Sequence, residues 1–211
     1  MLLNKFADIA EDGSYISDIS SDGKRFGHHM AALSGGRVLA ASNAADISMC
    51  SVMTAIRFGA ARQQFARKKN KPETYILDYP LHQARLFPIY ARSYMEMISM
   101  YYMWEDYTKN SKVLMQADNK SGEYFHLLSS AMKSVFTWNS SESWKVSRLA
   151  CGGLGFSALS NFHETGATAD VNQTWEGENY VLIQQSCKLL LKNFSKVMQG
   201  KESMKVINST F

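Results

Sequence analysis

The 211-residue chain is 45% hydrophobic and 20% charged, with a mean hydropathy of -0.24, which suits one globular domain able to bury a core. A net charge of +4 is too mild to mark a nucleic-acid binder unless the cations cluster, and no uninterrupted apolar run approaches bilayer length. Three cysteines without CxxC spacing point to reduced thiols in a cytosolic, mitochondrial or peroxisomal setting rather than to a disulfide framework.

The N-terminus "MLLNKFADIAEDGS" has no basic segment before a long apolar run, so it does not read as a signal peptide. "KVINSTF" at the other end carries no Ser-Lys-Leu address. Residues 1–29 hold two Asp-Gly pairs, at 12–13 and 22–23, with Tyr15, Ile16 and Ile19 between them. Asp-Gly is a turn signal, so strand fragments or loop are expected, too short for a sheet of their own.

From about Met30 the pattern is helical, with Val38, Ala41, Ala45, Met49, Val52 and Ile56 on one face. Pro72 in "NKPET" breaks the chain. A second helix is predicted from about Asp78 to Thr108, with a kink or a late start at Pro88. A third is predicted from about Glu123 to Cys151, its buried face marked by Tyr124, Leu127, Leu128, Ala131 and Val135. Within it, "NSSES" at 139–143 is polar enough to bend the helix or face solvent. "CGGLGFSALSNFHETGATADVNQ" reads as a glycine-rich loop. The fourth helix starts near Gly177 and ends at Gly200, a residue suited to a left-handed terminator. Its stripe is Tyr180, Ile183, Cys187, Leu190, Leu191, Phe194 and Val197. Four long helices predict an all-α fold, an antiparallel four-helix bundle over 30–200, with a short strand or loop segment before it and a tail at 201–211.

The constellations admit more than one reading. Arg57, Arg62, Arg67, Lys68, Lys69 and Lys71 could be a solvated helix end or an anion site. "CGGLGF" could be a helix-ending loop or a backbone freed for close ligand approach. His82 and Gln83 could be a surface pair or could bond a ligand. No set of residues has metal-ligand spacing; His28 and His29 are adjacent and would point apart. Glu176 in "TWEGEN" could stabilise the positive end of a helix. It could equally be a general base beside the apolar wall of Trp175, with Gly177 leaving room for substrate.

Taken in order, "ALSGGRV" (32–38), "AIRFGAARQQF" (55–65), "ILDYPLHQARLFP" (76–88), "RLACGGLGFSA" (148–158) and "TWEGENYVLIQQ" (174–185) resemble the acyl-CoA oxidase and dehydrogenase superfamily. "TWEG" rather than "YEGT" resembles the peroxisomal oxidases, and "KRFGHHMAALSGGR" looks like their exit from a middle β domain. The resemblance implies the C-terminal helical portion of an FAD enzyme that dehydrogenates fatty acyl-CoA to trans-2-enoyl-CoA and passes electrons to oxygen. It implies Glu176 as catalytic base. It implies FAD contacts from Arg62, Gln63, Gln64, His82, Gln83, Gly152, Gly153, Asn179 and Tyr180, and substrate contacts from Gly177 and Arg37. It further implies a homodimer, or an assembly with chains supplying other domains, in the peroxisome. Leu154 stands where such oxidases have His, and Ala66 where they have Gly. A second reading is a structural subunit without catalysis.

Overall fold

The computed structural model describes residues 7–19, 21–23, 25–26, 33–66, 68–114 and 120–201. His28, His29, Met30 and Arg67 lie outside them, as does nearly all of the 201–211 tail.

Strands β1 (Asp8–Ile9) and β2 (Tyr15–Ile16) pair antiparallel, Ile9 opposite Tyr15. Gly13 turns the chain at φ +84°, and Asp12 Oδ1 accepts from the backbone N–H and the hydroxyl of Ser14. The first Asp-Gly pair is therefore a turn between two strand fragments, as expected, whereas the second, Asp22-Gly23, is helical rather than strand or loop.

Helix α1 (Leu33–Ala61) buries Val38, Ala41, Ala45 and Val52 of the predicted stripe, with Met49 and Ile56 half-buried. By length and hydropathy it could cross a bilayer, but half of its most apolar window is buried inside the fold. Its apolarity serves a core. Beyond it the chain does more than break at Pro72. Strands β3 (Gln63–Ala66) and β4 (Glu73–Tyr75) form a hairpin with an irregularity between Gln64 and Ala66, where Phe65 takes φ +58°. The Tyr79 hydroxyl donates to the carbonyls of Gln64 and Phe65 and pins the irregular strand to the next turn.

Helix α2 (Pro80–Leu114) starts on a proline, which suits the first helical position, and continues through Pro88 rather than starting late. Helix α3 (Lys120–Ala150) corrects the predicted face. Leu127 is buried, Tyr124, Leu128 and Ala131 are half-buried, and Val135 is 41% exposed. The buried row is Phe125, Ser129, Lys133, Phe136, Ser140, Ser143 and Ser147, at steps of three and four. The helix runs uninterrupted through "NSSES", which does not face solvent throughout; Ser140 and Ser143 are wholly inside.

The expected glycine-rich loop is mostly helical: α4 (Gly152–Phe156), a 3-10 turn (Ala158–Ser160) and α5 (Phe162–Val171). Helix α6 (Asn179–Met198) ends before Gly200 at φ +68°, the expected left-handed terminator. Its face is also corrected. Asn179, Leu182 and Ser186 are buried, whereas Tyr180, Cys187, Leu190, Leu191 and Phe194 are exposed.

The four long helices alternate in direction. One apolar cluster joins Val38 and Ala45 of α1 to Met100 and Met103 of α2 and Phe125 and Phe136 of α3. A second joins Val52 and Ala55 to Leu86, Ile89, Ala150 and Phe162. Thus α2 runs opposite to α1 and α3. Helix α6 runs opposite to α3, since Asn179 meets Thr137 while Ser186 donates to the Leu127 carbonyl. The first three helices pack on one another, and α6 lies chiefly along α3, which leaves its outer face uncovered.

Candidate active site and cofactor cavity

Glu176 sits in the turn between α5 and α6, at φ +58°, followed by Gly177 at φ +110°. Residues other than glycine rarely adopt such a φ, so something must hold the turn there. The helix-capping reading belongs to its neighbour: Glu178 is the N-cap of α6, its Oε2 accepting from Val181 N–H at 3.2 Å. Glu176 is thus free of that duty. Its carboxylate lies over Gly36 of α1, where an added Cβ would fall 2.9 Å from Oε1 and nearer still to Oε2. The expected apolar wall is not formed here; Trp175 is 51% exposed and Glu176 is exposed too.

Two buried cations reach this turn. Arg37, next to Gly36, donates through Nε to the Glu176 carbonyl at 3.2 Å. Its Nη1 meets His126 Nδ1 at 2.9 Å and Ser130 Oγ at 3.3 Å. Burial pulls the Arg37 pKa down, and the charge of Glu176 opposes that. Burial and the Arg37 charge pull His126 down as well, opposed by a hydrogen bond with Gln185; since a guanidinium can only donate, Nδ1 is the acceptor. Lys133, on the buried row of α3, donates to the Gly177 carbonyl at 2.7 Å and to Asn179 Oδ1 at 2.9 Å.

Asn179 is wholly buried. Its side-chain amide donates to Thr137 Oγ1 and the Ser134 carbonyl, and its backbone N–H to the Gln173 carbonyl. With its oxygen taken by Lys133 and Thr137, it has nothing to offer a ligand, contrary to the expected FAD contact. It anchors α6 instead. Tyr180 beside it is 65% exposed, its ring 5.2 Å from that of Trp138. Arg37 likewise directs its Nε and Nη1 to internal partners.

A cavity of about 480 Å³ lies beyond the other end of α1, lined by Phe58, Arg62, Gln64, Ile76, Cys151, Gly152, Gly153 and Leu154. The hairpin brings Arg62 and Gln64 together, Arg62 Nη2 donating to Gln64 Oε1 at 3.1 Å. Gly152 takes φ +60°, and no atom would meet a Cβ at Gly152 or Gly153, so their backbone is open to a ligand. Gln63, adjacent on the strand, is exposed and does not line the cavity. His82 and Gln83, at the start of α2, are half-buried and also lie outside its lining. His82 rests against Gly59, with Nε2 buried and lacking a partner among the described residues. Among the described residues of the basic cluster, Arg62 alone joins the cavity; Arg57, Lys68, Lys69 and Lys71 are solvated. Arg37 lies near the start of α1 and Arg62 just past its end, roughly 37 Å apart along the axis.

Sequence reasoning missed Lys133. Its signal was the period: it stands on the same helical row as Phe125, Ser129 and Phe136.

Residues 30–191 match the family described as Acyl-CoA oxidase, C-alpha1 domain. The peroxisomal acyl-coenzyme A oxidase 2 of Arabidopsis thaliana is 37% identical over 199 residues, 94% of this chain and 28% of that protein. The peroxisomal acyl-coenzyme A oxidase 1 of Rattus norvegicus is 31% identical over 95% of this chain and 30% of its own length. Among solved structures, Arabidopsis thaliana acyl-CoA oxidase 1 superposes with a TM-score of 0.81 at 25% identity, over 93% of this chain and 29% of that one. Acyl-CoA oxidase-2 of Caenorhabditis elegans, bound with FAD, ascaroside-CoA and ATP, does so with a TM-score of 0.73 at 25% identity, over 94% and 29%. The chain spans under a third of the length of these relatives. With a match over most of its residues, the chain belongs to the acyl-CoA oxidase family and carries that family's C-alpha1 domain.

Proposed function

We propose that this chain provides the C-terminal helical domain of an FAD-dependent acyl-CoA oxidase, which converts a fatty acyl-CoA to a trans-2-enoyl-CoA while oxygen is reduced to hydrogen peroxide. On this reading residues 1–29 are the exit from a middle β domain and 30–200 the helical domain. The observation that carries it is Glu176: a carboxylate relieved of capping by Glu178, on a left-handed turn held by buried Arg37 and Lys133.

Glu176 takes the proton from the carbon next to the thioester carbonyl. Flavin, when bound, supplies the acceptor for the hydride from the adjacent carbon. Arg62 and the open backbone of Gly152 and Gly153 fit a diphosphate: a fork of donors beside uncovered peptide groups. Leu154 removes a side-chain donor there but leaves the backbone. His82 Nε2 is a buried polar atom still to be satisfied, and Tyr180 remains exposed beside the base turn. The separation of roughly 37 Å between Arg37 and Arg62 exceeds the reach of one flavin dinucleotide from its diphosphate to its ring. It supports an assembly of at least two copies, in which one contributes Glu176 and another Arg62 and the glycines to each flavin. The names of the relatives support a peroxisomal setting.

Glu176→Gln in the natively isolated protein is expected to keep flavin absorbance and slow its acyl-CoA-dependent bleaching by about 10²- to 10⁴-fold. Unchanged bleaching would refute the base assignment. A structural role without catalysis is favoured by the broad exposed apolar faces, Tyr94, Met95 and Tyr101 on α2 and Leu191 and Phe194 on α6. Stoichiometric FAD in the native assembly would exclude it.

A further inference from the structure

Two buried cations from different helices converge on consecutive carbonyls, Arg37 on that of Glu176 and Lys133 on that of Gly177. Among the described residues neither forms an ion pair within 4 Å with a carboxylate. A wholly buried ammonium without a carboxylate is costly, and an apolar side chain of similar volume would serve packing better. The lysine therefore has a task other than stability. Its long stem spans from α3 to the turn, and its three donors are rotatable. Two of them fix the Gly177 carbonyl and the Asn179 side chain, the first at the left-handed turn and the second at the first residue of α6.

We propose that Lys133 is a positioning residue for Glu176, clamping the Gly177 carbonyl so that the left-handed turn aims the Glu176 carboxylate over Gly36. The functional meaning rests on the reading of Glu176 as the base; the clamp itself is tested without it. Burial brings the Lys133 pKa down to about 8, with Glu178 at the α6 cap and Glu176 in the turn raising it and Arg37 from α1 lowering it. The clamp is thus open to titration in an accessible range.

The test uses the 211-residue chain with Lys133→Met. Amide hydrogen exchange at Gly177 and Glu178 is expected to quicken about tenfold or more, while amides in the middle of α1 and α3 keep their protection. Unchanged exchange at the turn overturns the proposal. If that variant does not fold, the unmodified chain decides. The Lys133 ammonium protons should exchange slowly at pH 6, and the Gly177 carbonyl carbon shift should follow the lysine's titration. An ammonium exchanging like free lysine, or a carbonyl that ignores it, overturns the clamp. In the natively isolated protein, Lys133→Met should lower kcat about 10²-fold with KM little changed, and Lys133→Arg should restore part of it. A rise in KM with kcat intact overturns the positioning role. Should Glu176→Gln keep full activity, the base reading fails, and the exchange data still decide the clamp.

Discussion

Gly36 is where one methyl group would tell most about the site. It lies inside α1, where alanine is favoured over glycine by about 0.5–1 kcal/mol. The added methyl would meet the end of the flexible Glu176 side chain rather than backbone. Gly36→Ala is therefore expected to keep or slightly raise the thermal unfolding temperature. It should lower acyl-CoA-dependent activity about 10²-fold by displacing the carboxylate. A stable variant with full activity would refute the position over Gly36 as the working position of the proposed base. Gly177 differs, because its φ of +110° and the nearby Leu182 side chain make any β-carbon strained. At this scale the carboxylate is legible in the sequence through its Trp and Gly neighbours. Its release from capping is not, since two glutamates flank the same glycine and only the turn decides which one caps.

At the scale of elements, α3 organises the molecule, with α1, α2, α5 and α6 all packed on it. Helix α5 joins it through one tight contact. The Trp144 indole N–H donates to the Phe162 carbonyl, and a β-carbon at Gly166 would clash with the indole Cζ2. Neither the ring nor the backbone of α5 can give way cheaply. Gly166→Ala should destabilise the fold by about 1–3 kcal/mol in urea unfolding, even though alanine is the better helix former. The lengths of α1, α2, α3 and α6 are legible because their periodicity is sustained over many turns. Helices α4 and α5 are hidden, since four glycines over residues 152–166 look like loop. Gly155 and Gly166 are there for close approach: a β-carbon would strike the Arg148 carbonyl at one and Trp144 at the other.

At the scale of the whole molecule, a polar layer separates the two apolar clusters: Ser48 and Ser51 from α1, Ser93 and Glu96 from α2, Ser140 and Ser143 from α3. Glu96 Oε1 accepts from Asn139 at 2.6 Å, while Oε2 has no partner among the described residues. Burial raises the Glu96 pKa, opposed by the Asn139 hydrogen bond, by Arg92 and by the nearby Ser48 hydroxyl. The folded state therefore binds its proton more tightly than the unfolded chain, whose value is 4.5. Stability through this group should be highest at and below that value and fall as pH rises through the folded pKa. Glu96→Gln should flatten this slope and make the chain more stable on the alkaline side, read as the denaturation midpoint against pH. A variant with the same slope as the parent would place the titration elsewhere.

The family, the number and order of the long helices, and the motif at 174–179 can all be read along the amino-acid sequence. Those follow from local pattern: period, caps, and motifs short enough to be read along the chain. Which faces are buried emerges from the packing of the helices. Hydrophobic period reports which side of a helix is apolar, not which side meets its own chain. That is why the stripe of α6, from Tyr180 to Phe194, lies open while the serine row of α3 is inside. Buried polar groups depend on partners distant in sequence, as Lys133 depends on Gly177 and Arg37 on the Glu176 carbonyl. Such a group is stable only when the fold brings its hydrogen-bond partner to it, and no local pattern records that meeting.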